Sequence, residues 1–263
     1  MFDYLKETFM QNALLLGVAL SISAAFLSPY LVLNNKALIA DGMSHISFTG
    51  IIIGLLFSDQ PLYFAIPFAI LTSILITFLT QSKTMQGDVA IGVVSVFSLA
   101  LGFIIINAST GFNRSIEQML VGNILTVTTS EVIISIILMF FIMAFVLLLY
   151  RPLLSLTYDL DYARFTGVKT SILNYLLSSL TALFIVIGVR TIGILLISAY
   201  IIFPALISSQ IAKSFKNTLL IGVGLSVITI IFGLLLSYHL DWPSSSTIVV
   251  VYTLFFVVAF IIG

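Results

Sequence analysis

Asp41 and His45 stand four residues apart in KALIADGMSHISFTG, residues 36–50. On a helix that spacing puts both side chains on one face, about 5–6 Å apart at Cβ. A carboxylate oxygen beside an imidazole nitrogen suits a transition metal such as Zn2+ or Mn2+. The flanking residues are apolar, and a carboxylate in an apolar span is costly unless it meets a partner, a cavity or an ion. Gly42, Ser44, Ser47, Thr49 and Gly50 surround the pair with small side chains. They let helices approach closely and leave room for an ion and its water. Counted along a helix from Lys36, His45 sits about 13 Å in, which predicts a position near mid-bilayer. One Asp and one His make a weak site. A two-fold homodimer would set two of each around its axis, a site able to release its ion. The alternative keeps both residues structural: Asp41 pairs with Lys36 or caps its helix, and His45 bonds a neighbouring helix.

Other polar residues say less. Arg190, in GVRTIG, is expected to snorkel to the outer interface. Glu117 and Glu131 flank a polar stretch, 110–130, that is a surface helix, a re-entrant segment or a short extra span. His239 and Asp241 adjoin Trp242 and Pro243, which read as a membrane-belt tryptophan with a turn proline. Pro204 interrupts an apolar run and predicts a kink or a free carbonyl, a possible gate. With no cysteine in the chain, thiolate metal sites and cysteine nucleophiles are excluded. No His-Glu-x-x-His, no hydrolytic dyad and no Walker sequence is present, so the chain is not read as an enzyme and does not itself hydrolyse ATP.

The elements that position these residues follow from composition. Asp, Glu, Lys and Arg make up 8% of the 263 residues and hydrophobic residues 60%, where a soluble domain carries about 25% charged residues. The chain is an all-α polytopic membrane protein. Apolar runs of roughly 20 residues predict nine spans, at about 12–33, 38–57, 62–80, 88–108, 131–150, 171–189, 191–209, 217–238 and 245–262. Lys36, Lys83, Arg151, Arg164, Lys169, Lys213 and Lys216 fall on one side. Lys6, Arg114 and Arg190 fall on the other. The richer side is assigned to the cytoplasm, with both termini expected outside. The whole chain, 1–263, reads as one transmembrane domain with a cytoplasmic loop at 151–170. That loop, RPLLSLTYDLDYARFTGVKT, reads as a short amphipathic helix. Leu160, Ala163 and Phe165 form its apolar side, while Asp159, Asp161 and Arg164 stay wet. Asp159 and Asp161 suit the start of that helix and Gly167 its end. The loop is a solvated linker or a docking helix for a cytoplasmic partner.

Four segments, in order, resemble the membrane permease subunits of bacterial ABC importers for zinc, manganese or iron. They are the region around Asp41, Ser44, His45 and Gly50; YDLDYARFTGV at 158–168; TIGILLISAYIIFPALISS, with Gly193, Ser198, Ala199, Pro204 and Ala205; and LSYHLDWPSSSTIVVV near the end. NNK replaces a more basic turn before Asp41, and serines replace a glycine near Ser245. The resemblance implies a cobalamin-type importer fold in the bacterial plasma membrane, acting as a homodimer with a path along its axis. A cytoplasmic ATPase pair would dock on the coupling loop (Asp159, Asp161, Ala163, Arg164, Gly167). An extracytoplasmic binding protein would deliver the metal to Asp41 and His45. No permanent cofactor is expected. Zn2+ is favoured as the transported substrate, with Mn2+ next. The rival class is an ATP-independent cation channel or secondary carrier, which would need no docking loop.

Overall fold

A computed structural model describes residues 7–34, 36–58, 60–82, 85–109 and 124–262. Among them are nine helices long and apolar enough to cross a membrane. They are α1 (Thr8–Val32), α2 (Ile39–Phe57), α3 (Leu62–Gln81), α4 (Gly87–Ala108), α5 (Thr129–Leu148), α8 (Thr170–Ile192), α9 (Ile194–Ile211), α10 (Phe215–Leu240) and α11 (Ser244–Ile262). Two short helices, α6 (Tyr150–Tyr158) and α7 (Leu160–Phe165), link α5 to α8. Of the ambiguous 110–130 stretch, residues 110–123, with Arg114 and Glu117, lie outside the described residues. Ile124–Thr126 form one 3-10 turn.

Local chemistry explains the boundaries. α5 begins at a capping box: the Glu131 N–H donates to Thr128 Oγ1, and Glu131 Oε2 accepts the Thr128 N–H. The continuous apolar run 170–211 is split by Gly193, at φ 86° and ψ 167°, a region open essentially to glycine alone. Ser245 Oγ donates to the carbonyl of Ile192 there, at 3.0 Å. The serine that departs from the usual pattern thus satisfies a buried carbonyl at the helix end. α10 ends at Asp241, left-handed at φ 53°, with Pro243 beyond.

α1 and α2 form the interior: α1 packs on α5, α9 and α10, and α2 on α3, α4, α8 and α9. Buried hydroxyls on α2 are satisfied within the helix. Ser44 Oγ donates to Ala40 O and Ser47 Oγ to Met43 O, and Thr49 Oγ1 reaches across to Ser98 O on α4 at 2.7 Å. The outer helices expose apolar side chains, including Leu71 on α3, Phe97 on α4, Phe140 on α5 and Leu254 on α11. Such faces suit lipid, since hydrocarbon replaces the water they would otherwise order.

Nine crossings correct one expectation. α1 starts beside the start of α5, where Asn12 Nδ2 donates to Thr129 Oγ1. After an odd number of alternating spans, α11 must finish at the opposite end. The ends of the helical bundle therefore fall on opposite sides, not both outside.

Pro204 lies inside α9. Its missing N–H and its ring open the helix ladder, and Ser28 of α1 enters the gap. Ser28 Oγ donates to Ile201 O and accepts the Ala205 N–H at 3.0 Å. A side chain inserted into an i→i−4 ladder is one of the recognised causes of helix bending.

Candidate metal pathway on the second helix

α2 starts at Ile39, because Leu33, Asn34, Ala37 and Leu38 form turns and Lys36 is not helical. Asp41 is therefore in the first turn, where the positive end of the helix dipole favours a carboxylate. His45 lies only about 9 Å along the axis from Ile39. The pair is nearer one end of the span than mid-bilayer. Counting rise from Lys36 overstated the depth, since three of the nine residues are not helical.

From Ile39 to Ile52, Asp41 and His45 are the only residues of α2 that are not buried. Gly42 faces α4, so closely that a Cβ would collide with Ile91, and Gly50 faces Ala65 of α3. Three sides of the helix are sealed by neighbours, and the carboxylate and imidazole occupy the open one. His45 Nε2 stands 3.8 Å from Asp41 Oδ2. Two ligands each about 2.1 Å from one metal would be about 3–3.5 Å apart, so a small side-chain rotation brings both onto a single ion. His45 Nδ1 is buried and has no hydrogen-bond partner among the described residues. Neither structural alternative describes Asp41. Lys36 Nζ donates to Asn174 Oδ1 at 3.1 Å, and the start of α2 carries no side-chain cap. No group of three or more His, Asp or Glu that could hold a metal occurs among the described residues. One chain thus offers two candidate ligands on an uncovered face.

The 151–170 segment folds as two helices hinged at Asp159. Asp159 caps α7 by accepting the Tyr162 N–H at 2.9 Å, as its position suggested. Gly167, at φ 81°, closes α7 with a Schellman motif, in which Val168 N–H donates to Ala163 O and Gly167 N–H to Arg164 O. Ala163 is fully buried. Asp161 and Arg164 pair at 3.6 Å on the surface. The expected apolar side holds only in part, for Phe165 is 91% exposed and Leu160 40%. A six-residue helix has too few turns to present a complete stripe. Behind the segment, Tyr150, Tyr158 and Tyr30 surround Phe215 with ring centroids 5.0–6.0 Å away. Asn34 Nδ2 donates to Thr157 Oγ1. The short helices are thereby tied to α1, α10 and the approach to α2.

At the opposite end, Arg190 does not stand alone. Its guanidinium lies 3.8 Å from Glu131 Oε1, joining the end of α8 to the start of α5. This pairing and the Lys36–Asn174 link were missed in the sequence, where nothing local connects residues 59 and 138 positions apart. Trp242 is exposed at the end of α10, and its carbonyl accepts from Ser237 Oγ.

Comparison with known proteins agrees with this architecture. The ABC 3 transport family matches residues 6–263. The manganese import system permease protein ScaB of Streptococcus parasanguinis is 32% identical over 255 residues, 97% of this chain and 91% of that protein. A probable iron transport system membrane protein of Haemophilus influenzae is 32% identical over 264 residues, covering 98% and 97%. Among solved structures, PsaBC from Streptococcus pneumoniae in complex with Fab superposes with a TM-score of 0.86 at 27% identity, covering 98% of this chain and 93% of that one. A second ABC transporter, in an inward-facing conformation, has a TM-score of 0.72 at 18% identity and shares the fold. This multi-pass protein of the bacterial plasma membrane, with the fold of an ABC importer permease, belongs to the ABC 3 transport family.

Proposed function

We propose that the chain, 1–263, is a single permease domain of an ATP-driven importer for a divalent transition metal, and that it works as a homodimer. One observation carries the reading. Asp41 and His45 are the two accessible residues on an otherwise buried stretch of α2, close enough to share one ion. A second copy across a two-fold axis supplies the other half of a four-ligand site, two oxygens and two nitrogens. Such a site holds a metal ion as passing cargo and lets it go.

The basic end of the bundle faces the cytoplasm, so α6 and α7 receive an ATPase pair there. Ala163 anchors α7, Asp159 and Gly167 fix its ends, and Asp161, Arg164 and Phe165 meet the partner. Motion of α7 passes to α2 through the Asn34–Thr157 and Lys36–Asn174 hydrogen bonds. The ladder break at Pro204 is a hinge for gating. An extracytoplasmic binding protein delivers the metal at the opposite end. Family membership does not favour the ATP-independent carrier.

For the metal, manganese is the first candidate and iron the second. Two relatives at 32% identity are named for those metals, and the preference for zinc has no support from them. The donor set itself ranks Zn2+ above Mn2+ in affinity, so selectivity is assigned to the delivering protein. The test is ATP-dependent uptake of radioactive Mn2+ by the permease reconstituted with its ATPase and binding protein. Asp41→Asn and His45→Gln should each lower uptake by about tenfold or more, at least the effect of disturbing a ligand's outer-shell partner. Normal uptake by both variants would sink the assignment.

A further inference from the structure

A second polar site lies on the far side of α2. A cavity of about 620 Å3 opens where α2 begins, α3 ends and α4 and α8 start, roofed by α6 and α7. Asp41 and His45 do not line it. Ile39 does, and at about 100° per residue Asp41 points roughly 160° away from Ile39 around the helix. Among the described residues, the only charged ones in its lining are Lys36 and Arg164; no carboxylate lines it. Lys36 has three N–H donors and, among the described residues, one hydrogen-bond partner, Asn174. Burial pushes its ammonium below the ordinary lysine range, because desolvation disfavours the charged form. Arg164 does have a carboxylate, Asp161, at 3.6 Å, and both side chains are largely exposed, Arg164 at 62% and Asp161 at 93%, so solvent screens the pair.

By area most of the wall is apolar, including Ile76, Ile91 and Leu156, and Thr80, Gln81 and Asn174 are among its polar residues. The cavity falls within the size range of small-molecule sites, about 300–1,000 Å3. Its depth is that of a membrane interface, since α3 and α4 leave the bilayer there. The same ends of those helices expose Leu75, Phe78, Val89 and Val93, surfaces along which acyl chains can lie. Two cations lining a recess whose surface is mostly apolar by area, at the interface depth, match an anionic amphiphile better than a soluble anion.

We propose that this cavity binds the phosphate headgroup of an anionic phospholipid, held by Lys36 ahead of α2 and Arg164 on α7. The headgroup would supply the missing counter-charge and brace α7 against the helix that carries the metal ligands. The site is independent of whether Asp41 and His45 bind metal.

The test uses purified full-length permease, delipidated in detergent and titrated separately with phosphatidylglycerol, phosphatidylcholine and inorganic phosphate. Retained lipid is counted by native mass spectrometry, and thermal unfolding is followed alongside. Phosphatidylglycerol should be retained and should raise the unfolding midpoint, with phosphatidylcholine markedly weaker. Lys36→Gln should cut retention about fivefold, the effect of one basic residue at an anionic surface, and Lys36→Arg should preserve it. Should Lys36→Gln fail to fold, Arg164→Gln, on an exposed six-residue helix, decides by the same loss. Equal retention of the two lipids, or retention unaffected by these variants, overturns the site. An identical midpoint shift with inorganic phosphate alone overturns the lipid and identifies a soluble anion.

Discussion

Replacing Ser28 with alanine isolates the contact that supports Pro204. The hydroxyl serves two buried backbone groups of α9, accepting the Ala205 N–H at 3.0 Å and donating to Ile201 O. Ile201 and Ala205 are 0% and 1% exposed, so no water replaces the lost partner. An interhelical hydrogen bond in a membrane protein averages about 0.6 kcal/mol, with a maximum near 1.7. Here two groups are orphaned at once, each worth about 1–3 kcal/mol. Partial reclosure of the Ile201–Ala205 bond offsets some of that cost. The expected loss is about 1.5–3 kcal/mol, or about 3–12 °C in thermal midpoint for a chain of this length. The assay is the temperature at which solubilised permease loses its monodisperse elution peak. The mechanism also predicts non-additivity. Pro204→Ala restores an N–H and lets the ladder close, so Ser28→Ala in that background should cost no more than about 0.6 kcal/mol. Ser28→Ala alone within about 0.5 kcal/mol of wild type, or additivity of the two changes within that margin, would refute the account.

Further outcomes follow from the other contacts. Phe165→Ala should leave the thermal midpoint unchanged, because the ring is 91% exposed, yet reduce copurification of the ATPase; unaltered copurification would remove it from the docking surface. Asp159→Ala loses the α7 cap and should cost about 1 kcal/mol of local stability, read as faster amide exchange across 160–166. Gly167→Ala puts a Cβ at φ 81° and should produce a similar local loss of about 1 kcal/mol. Glu131→Ala removes both the capping box and the Arg190 pair. A loss of about 0.5–1.5 kcal/mol is expected, mostly from the lost bond to the Thr128 N–H, since Thr128 still caps the backbone and Arg190 is about a third exposed, so the pair is screened. That loss should therefore change little between low and high salt.

Several features were legible in the sequence because they depend on local rules. Bilayer thickness requires about 20 apolar residues per span, so the nine runs could be counted directly, and each helix boundary moved by only a few residues. The i,i+4 spacing placed Asp41 and His45 on one face whatever surrounds them. Asp159 and Gly167 announced the ends of α7 because cap chemistry acts over three or four residues. Where the reading failed, the cause was equally local. A non-helical turn between Lys36 and Ile39 shortened the depth of His45. A helix of six residues could not bury Leu160 and Phe165 together with Ala163. The two ends of the described bundle cannot lie on one side of its nine crossings.

The sequence alone established a polytopic helical membrane protein, the face shared by Asp41 and His45, and the family resemblance. Apolar run length, helical period and short motifs are properties of neighbouring residues. Only the tertiary structure decided that this face is the uncovered one on α2, that Ser28 fills the break made by Pro204, that Glu131 meets Arg190, and that Lys36 lines a cavity without a counter-charge. Each of these depends on which helices pack together. Packing is set by the combined fit of small residues such as Gly42 and Gly50 against particular partners, and a single apolar stripe does not specify those partners.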